Sequence, residues 1–206
     1  MLMTTDAREA LILIDERNRR VGTAEKYPAH HQGLLHRAFS IFLFDDQGRT
    51  LLQRRAAGKY HSAGKWANSC CGHPRPGEST RQAASRRISE ELNITVDLTF
   101  GFHSRYRAEL DRGMIENEFV YVYAGRVPEG EISPNRAEAD RIMLVSLDEL
   151  SDQVAQSDQR YAFWLRHYLR QHRAELDRMA AEMVKLSAGS VPPRQLPDQV
   201  PARNLS

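Results

Sequence analysis

The stretch "NSCCGHPRPGESTRQAASRRISEEL", residues 68–92, decides how this 206-residue chain folds. It runs from small polar residues through both of the chain's cysteines and a histidine, turns at Pro74 to Gly77, and continues as a charged segment. From Glu78 the chain turns helical over "RQAASRRISEEL", with Ser79 or Thr80 placed to cap it. A side-chain oxygen there accepts from backbone N–H groups that lack a partner in the first turn. Adjacent cysteines make a poor structural disulfide because their Cα atoms are too close for relaxed geometry. Cys70 and Cys71 are therefore expected to stay reduced, which suits the cytosol.

Strand patterns lie on both sides of this stretch. "ALILID" followed by "ERNRRVG" reads as a strand leading into a charged turn. "HRAFSIFLFDDQGRTLLQRRA" reads as a β-hairpin turning at Asp45-Asp46-Gln47-Gly48. "FGFHSRYRAEL" and "IENEFVYVYAGRV" form a second hairpin around Asp111-Arg112-Gly113, and period-2 geometry puts Glu116, Glu118, Val120 and Val122 on one face. "RIMLVSL" is a further strand, and "SLDEL" begins a short helix. A last long helix is expected over about residues 159–186, its seam running through Leu165, Leu169, His172, Leu176, Met179, Met183 and Leu186. Residues 187–206 carry four prolines and little to bury, so they read as a disordered tail. The whole is an α+β fold, a mixed sheet with flanking helices, in one domain over residues 1–186.

Composition excludes some functions. A formal charge of +2 is too near neutral to argue for nucleic acid or membrane partners. "ALILI" is too short for a signal peptide, and no apolar run approaches the roughly 20 residues that span a bilayer. The expectation is a soluble cytoplasmic protein without nucleic acid or membrane partners, a monomer or weak homodimer.

Five potential metal ligands stand out: His30, His36, His73, Glu116 and Glu118. Imidazoles suit transition metals, and two added carboxylates favour six-coordination over closed tetrahedral zinc. His31, His61, His103, His167 and His172 are read as structural. The helix carries a second pattern, the Nudix box Gly-x5-Glu-x7-Arg-Glu-x-x-Glu-Glu-x-Gly, in outline: Gly72, Glu78, Arg86, Glu90 and Glu91. Carboxylates in that box hold divalent metal against a diphosphate. The same residues also read as a solvated helix with Arg86–Glu90 and Arg87–Glu91 pairs. Arg87 stands where the box has a glutamate, and Asn93 where it has a glycine. A guanidinium in place of a carboxylate weakens a water-activating metal site and favours holding a diphosphate intact.

"EKYPAH", "NSCCGHPRPGE", "RRISEEL", "RYRAEL" and "IENE" occur in the order and near spacing of the type I isopentenyl-diphosphate delta-isomerases, a Nudix-fold family that this chain resembles over roughly two-thirds of its length. The resemblance implies interconversion of isopentenyl and dimethylallyl diphosphates by movement of a double bond. It implies Cys71, the cysteine followed by Gly-His, as one acid/base group and Glu118 as the other, with Tyr106 hydrogen-bonded to that glutamate. Neighbours on an extended segment point to opposite sides, so only one thiol faces the pocket. His30, His36, His73, Glu116 and Glu118 resemble the family's site for one Mn2+ or Zn2+, the choice of His30 over His31 resting on "EKYPAH". Glu91 matches the glutamate that helps hold Mg2+ with the substrate diphosphate, and Lys26, Arg55, Lys59 and Arg87 match diphosphate-binding positions. Trp164 is the candidate for a cation-stabilising ring, while Trp66 reads as core. The alternatives are a Nudix hydrolase of a nucleoside or prenyl diphosphate, and a non-catalytic metal-binding protein.

Overall fold

A computed structural model describes residues 9–59 and 61–189. The fold is built on two long strands, β3 (His36–Phe44) and β8 (Ile115–Arg126), which pair in parallel from His36 beside Glu118 to Phe44 beside Arg126. β7 (Thr99–Glu109) completes a hairpin with β8 through the turn at Asp111–Gly113. β1 (Ala10–Ile14) and β2 (Arg20–Glu25) pair with each other, and β1 touches the start of β3. Here the structure departs from the expected charged turn: the turn is confined to residues 15–19, and the chain returns as β2. β2 escapes a hydrophobic pattern because most of its residues are exposed. A short helix, α1 (Lys26–Gln32), then closes on Gly33, whose left-handed φ of 64° ends it.

The first expected hairpin is a hairpin only at its turn. β4 (Thr50–Arg55) meets β3 at Phe44 and Thr50, then leaves it to pair with β9 (Ala139–Val145). The segment between them is the reason. β5 (Trp66–Ala67) pairs with β4, β6 (Cys70–Gly72) pairs with β3, and Asn68 and Ser69 bridge the gap. The backbone N–H of Leu43 donates to Ser69 Oγ (2.8 Å), which donates to the carbonyl of Leu51 (2.7 Å). Asn68 Nδ2 donates to the carbonyls of Ile41 (2.9 Å) and Cys70 (3.2 Å). These buried side chains satisfy backbone groups that a continuous ladder would otherwise pair, and they carry the cysteines into the middle of the sheet.

Helices cover both faces. α2 (Thr80–Leu92) begins at a capping box in which Ser79 and Gln82 bond reciprocally, and it lays Ala83, Ala84, Ile88 and Leu92 on Phe39, Ile41, Leu43 and Cys70. It ends at Asn93, where φ 55° and ψ 34° are left-handed. Asparagine is the side chain that best tolerates that conformation, which explains its place at the box glycine. On the other face, α3 (Leu147–Gln156), α4 (Phe163–Gln171) and α5 (Arg173–Gly189) pack on Ala38, Phe42, Val120 and Val122.

The long final helix is two helices. It breaks at His172 (φ −133°), whose ring stacks on Phe102 and reaches Ser104 on β7 (Nε2 to Oγ, 2.9 Å). Leu165, Leu169, Leu176, Met179 and Met183 are buried as the seam requires, whereas Leu186 is exposed. The path of α5 needs a glycine beneath it: a Cβ on Gly101 would come within 2.6 Å of Met179 Sδ. The expected tail beyond residue 189 lies outside the described residues.

Candidate active site and metal centre

Register assembles the site. In one row across the sheet, β3 brings His36, β8 brings Glu118 and β7 brings Tyr106. Two residues along each strand, the next glutamate, Glu116, stands opposite Ala108, and further along β3 Ser40 stands opposite Cys71. Because side chains alternate, Cys71 faces the cleft while Cys70 is sealed against α2. His73 follows β6, and His30, buried at 0% exposure while His31 is exposed, comes from α1. Ser40, Cys71, His73, Tyr106, Glu116 and Glu118 line one cleft of about 580 Å³, its mouth included, together with Lys26, Arg55, Lys59, His61, Arg87, Glu91 and Trp164.

The structure brings together ligand atoms of His30, His36, His73 and Glu118 within 4.8 Å of one another. Glu116 joins a second group, with His30 and His61, under the same limit. The five expected ligands thus fall into two sets sharing His30, and the second contains a histidine that was read as structural. His61 escaped because no spacing links it to the others: it lies on the loop between β4 and β5, apart from every motif.

The hydrogen bonds fit this cluster to a cation. The Nδ1–H groups of His30 and His36 donate to the carbonyls of Lys26 (2.8 Å) and Leu34 (2.7 Å). A carbonyl only accepts, so those bonds fix the tautomer and give Nε2 the lone pair. The Nε2 of His36 lies 3.4 Å from Glu118 Oε1, two acceptors face to face in a buried site. His73 Nε2 lies 3.0 Å from the same oxygen. A divalent ion reconciles such a set of lone pairs.

Burial, then the neighbouring His36 and His73, depress the basicity of His30 to about 2, and burial also lowers His73. Both are neutral imidazoles, the form that ligates metal. Burial alone would raise the carboxyl of Glu118, but the facing imidazoles of His36 and His73 outweigh it and hold it well below the usual range. Burial and the Glu118 charge push Glu116 well above it. One proton is therefore shared by the pair, as two close carboxylates cannot both ionise cheaply. Tyr106 O–H points at both, 2.8 Å from Glu118 Oε2 and 3.1 Å from Glu116 Oε2.

Burial pushes the Cys71 thiol up to about 12, only partly offset by hydrogen bonds to Ser40 and Asn68. Its S–H donates to Asn68 Oδ1 (3.2 Å), an orientation fixed because Asn68 spends its Nδ2 on two carbonyls. Ser40 Oγ lies 3.3 Å from Sγ and 2.9 Å from the Tyr168 hydroxyl. At neutral pH this is a protonated thiol, an acid rather than a nucleophile.

The rim is basic. Arg87 reaches Glu90 (2.7 Å), Glu91 (2.5 Å) and Glu138 (3.2 Å), and Lys59 pairs with Glu138. Arg55 lies over the Trp164 ring, 5.2 Å from its centroid. Glu91, buried, also accepts from Gln53 Nε2 (2.8 Å). Of the box residues, Glu78 and Arg86 form a paired brace at 2.8 and 2.9 Å that holds the loop before α2.

Comparison with known proteins agrees with this architecture. The NUDIX domain model matches residues 34–167. The chain is 46% identical over 157 residues to an isopentenyl-diphosphate Delta-isomerase 2 of Aromatoleum aromaticum, covering 76% of this chain and 82% of that protein. It is 44% identical over 156 residues to the isopentenyl-diphosphate Delta-isomerase of Burkholderia multivorans, covering 76% and 88%. The chain belongs to the isopentenyl-diphosphate Delta-isomerase family, within the Nudix fold. Among solved structures, protein DR0079 from Deinococcus radiodurans superposes with a TM-score of 0.67 at 21% identity, covering 79% of this chain and 98% of that one. At that identity the likeness speaks for the fold alone. Among the described residues, no helix is long and apolar enough to cross a membrane.

Proposed function

We propose that this member of the isopentenyl-diphosphate Delta-isomerase family interconverts isopentenyl and dimethylallyl diphosphates, with Cys71 and Glu118 as the groups that exchange protons with the five-carbon chain. The observation that carries the reading is one cleft holding a protonated thiol on β6 and the paired carboxyls of Glu116 and Glu118 on β8, beneath a basic rim.

An unactivated alkene is a very weak base, so the reaction needs a positioned group that is protonated at neutral pH, a stabilised tertiary cation and a base for the neighbouring carbon. Cys71 holds its proton at neutral pH, aligned by Asn68 and Ser40. Glu118 exchanges the second proton on the opposite side, and the Tyr106 hydroxyl lies within hydrogen-bond reach of both Glu118 and Glu116. The π face of Trp164, already receiving Arg55, favours positive charge in the cleft. Tyr106, Glu116, Glu118 and Trp164 are buried, which limits the access of water that would trap a cation.

His30, His36, His73, Glu116 and Glu118 would hold the transition-metal ion, Mn2+ or Zn2+. Bound there, it supplies positive charge that lowers the proton affinity of the carboxyls. Glu91 would hold Mg2+ brought in with the diphosphate, since such an ion needs only one or two protein carboxylates besides phosphate oxygens. Lys26, Arg55, Lys59 and Arg87 grip the diphosphate and orient the chain, arginine as a two-pronged donor and lysine as a point charge.

Incubating the protein with isopentenyl diphosphate and Mg2+ in D2O, followed by 1H and 31P NMR, tests the reading. Dimethylallyl diphosphate carrying deuterium, with the diphosphate intact, is the expected product. Release of phosphate or a monophosphate in its place would identify a hydrolase and overturn the proposal.

A further inference from the structure

His61 stands outside the expected ligand set, yet the fold delivers it to the ion site. Its ring is 5% exposed and stacks on that of His30, with centroids 5.8 Å apart and planes at 27°. It presents itself edge-on to Trp164 at 6.1 Å. Ligand atoms of His61, His30 and Glu116 lie within 4.8 Å of one another. That span is what donors about 2.1 Å from one ion on opposite sides would occupy after slight closure.

The two donor sets meet at His30, whose Nδ1 is already bonded to the carbonyl of Lys26. One ring nitrogen binds one ion, so the shared residue ties both sets to a single centre. Four donors from one set and two from the other make six, the number an octahedral ion accepts.

We propose that His61 is a sixth protein donor to the metal centre, so that ion binding pins the loop between β4 and β5. This rests on the metal-binding reading above. On this loop Arg55 Nη2 donates to the His61 carbonyl (3.2 Å), and the Ser62 N–H donates to Asp111 (2.9 Å). Two residues before His61 the same loop carries Lys59, which pairs with Glu138 at the cleft rim. A ligand at position 61 therefore couples the ion to the placement of a diphosphate-gripping lysine. An ion closed by six protein groups has no position for water next to a carbocation.

The test compares metal-stripped wild type with His61→Gln, His36→Gln and, as a control on the exposed side of β7, His103→Gln. Zn2+ affinity is measured by equilibrium dialysis against a competing chelator with elemental analysis, and coordination by the visible spectrum of the Co2+ form. His61→Gln is expected to weaken Zn2+ binding by at least the roughly tenfold that loss of a ligand's supporting partner costs, and to intensify the Co2+ bands as the coordination number falls. His103→Gln should match wild type. Hydrogen exchange of wild type, which needs no variant, should show residues 61–64 protected on adding Zn2+. The proposal is overturned by a His61→Gln protein with wild-type affinity and spectrum while His36→Gln has lost the ion, or by a wild-type loop that Zn2+ leaves unprotected. Wild type and His36→Gln binding Zn2+ equally poorly would instead overturn the metal centre itself.

Discussion

Cys71→Ala, set beside Cys70→Ala, separates proton transfer from packing within one dipeptide. Cys71 Sγ is held by Asn68 Oδ1 at 3.2 Å and Ser40 Oγ at 3.3 Å, and its strand pairing to Ser40 is a backbone matter that alanine preserves. A positioned acid or base contributes about 10²–10⁴-fold to rate, equivalent to about 3–5 kcal/mol of barrier at ~1.4 kcal/mol per decade. Turnover of Cys71→Ala is thus expected to fall by at least the lower of those factors, with the fold retained. Cys70 is fully buried among Ala83, Ala84 and Ile88, so alanine there leaves a small cavity. Its cost is about 1–2 kcal/mol of stability, with turnover close to wild type. Isomerisation is followed by NMR with isopentenyl diphosphate and Mg2+, and stability by urea titration with circular dichroism. Comparable losses of turnover in both variants, or in neither, would refute the assignment of the two thiols to opposite sides of the sheet.

Tyr106→Phe removes a hydroxyl from both carboxyls. A hydrogen bond to a charged group is worth about 1.5–3 kcal/mol, so kcat should fall about 10–100-fold at little change in KM; an unchanged kcat would remove Tyr106 from the proton path. Arg87→Lys keeps the charge but loses the fork to Glu90 and Glu91. Inhibition by inorganic pyrophosphate should weaken roughly tenfold or more, and an unaltered inhibition constant would place the diphosphate elsewhere. The third concerns pH in metal-free protein. His30 is held at about 2, below its ordinary 6.5, so the unfolded chain takes up a proton there that the folded one refuses. Stability is full above pH 6.5 and falls as pH drops, by about 2 kcal/mol at pH 5 from this residue alone. His61 and His73 are shifted the same way. Urea titrations at pH 7.5 and 5.0 should show that loss, smaller in His30→Gln; equal slopes in the two proteins would contradict a neutral His30.

Much of this architecture was legible because it is periodic. The alternation in "ENEFVYV" put Glu116, Glu118, Val120 and Val122 on one face, and all four are buried. The cap at Ser79 and the charges of the box located α2. Aperiodic features were not legible. The 4-3 seam of the last helix runs unbroken through His172, so nothing local announces the break; contacts with Phe102 and Ser104, some 70 residues away, produce it. α1 was hidden for another reason: its helix is short, and only Ala29 and His30 are buried. The same limit concealed His61, a single residue on a loop, placed by tertiary structure alone.

Strand pairing is what converts legible segments into a site, and it was the least legible property of all. Nothing in "HRAFSIFLF" states that it lies parallel to β8 rather than along β4, yet that choice sets His36 beside Glu118. The deciding residues are Asn68 and Ser69, whose side chains take over backbone bonds of Ile41, Leu43 and Leu51 and so hold β3 and β4 apart. Without that wedge the two strands could pair along their length, and β6 would have no edge of β3 on which to dock. Asn68 then has two functions that one substitution removes together: it opens the sheet for Cys71 and receives the thiol proton. Asn68→Asp distinguishes them. A carboxylate keeps an acceptor for the thiol but has no N–H for the carbonyls of Ile41 and Cys70, leaving buried oxygens against a buried charge. That conflict costs several kcal/mol, so Asn68→Asp should be much less stable than Cys70→Ala in urea. A stable Asn68→Asp protein would mean that the strands are held apart by something other than this side chain.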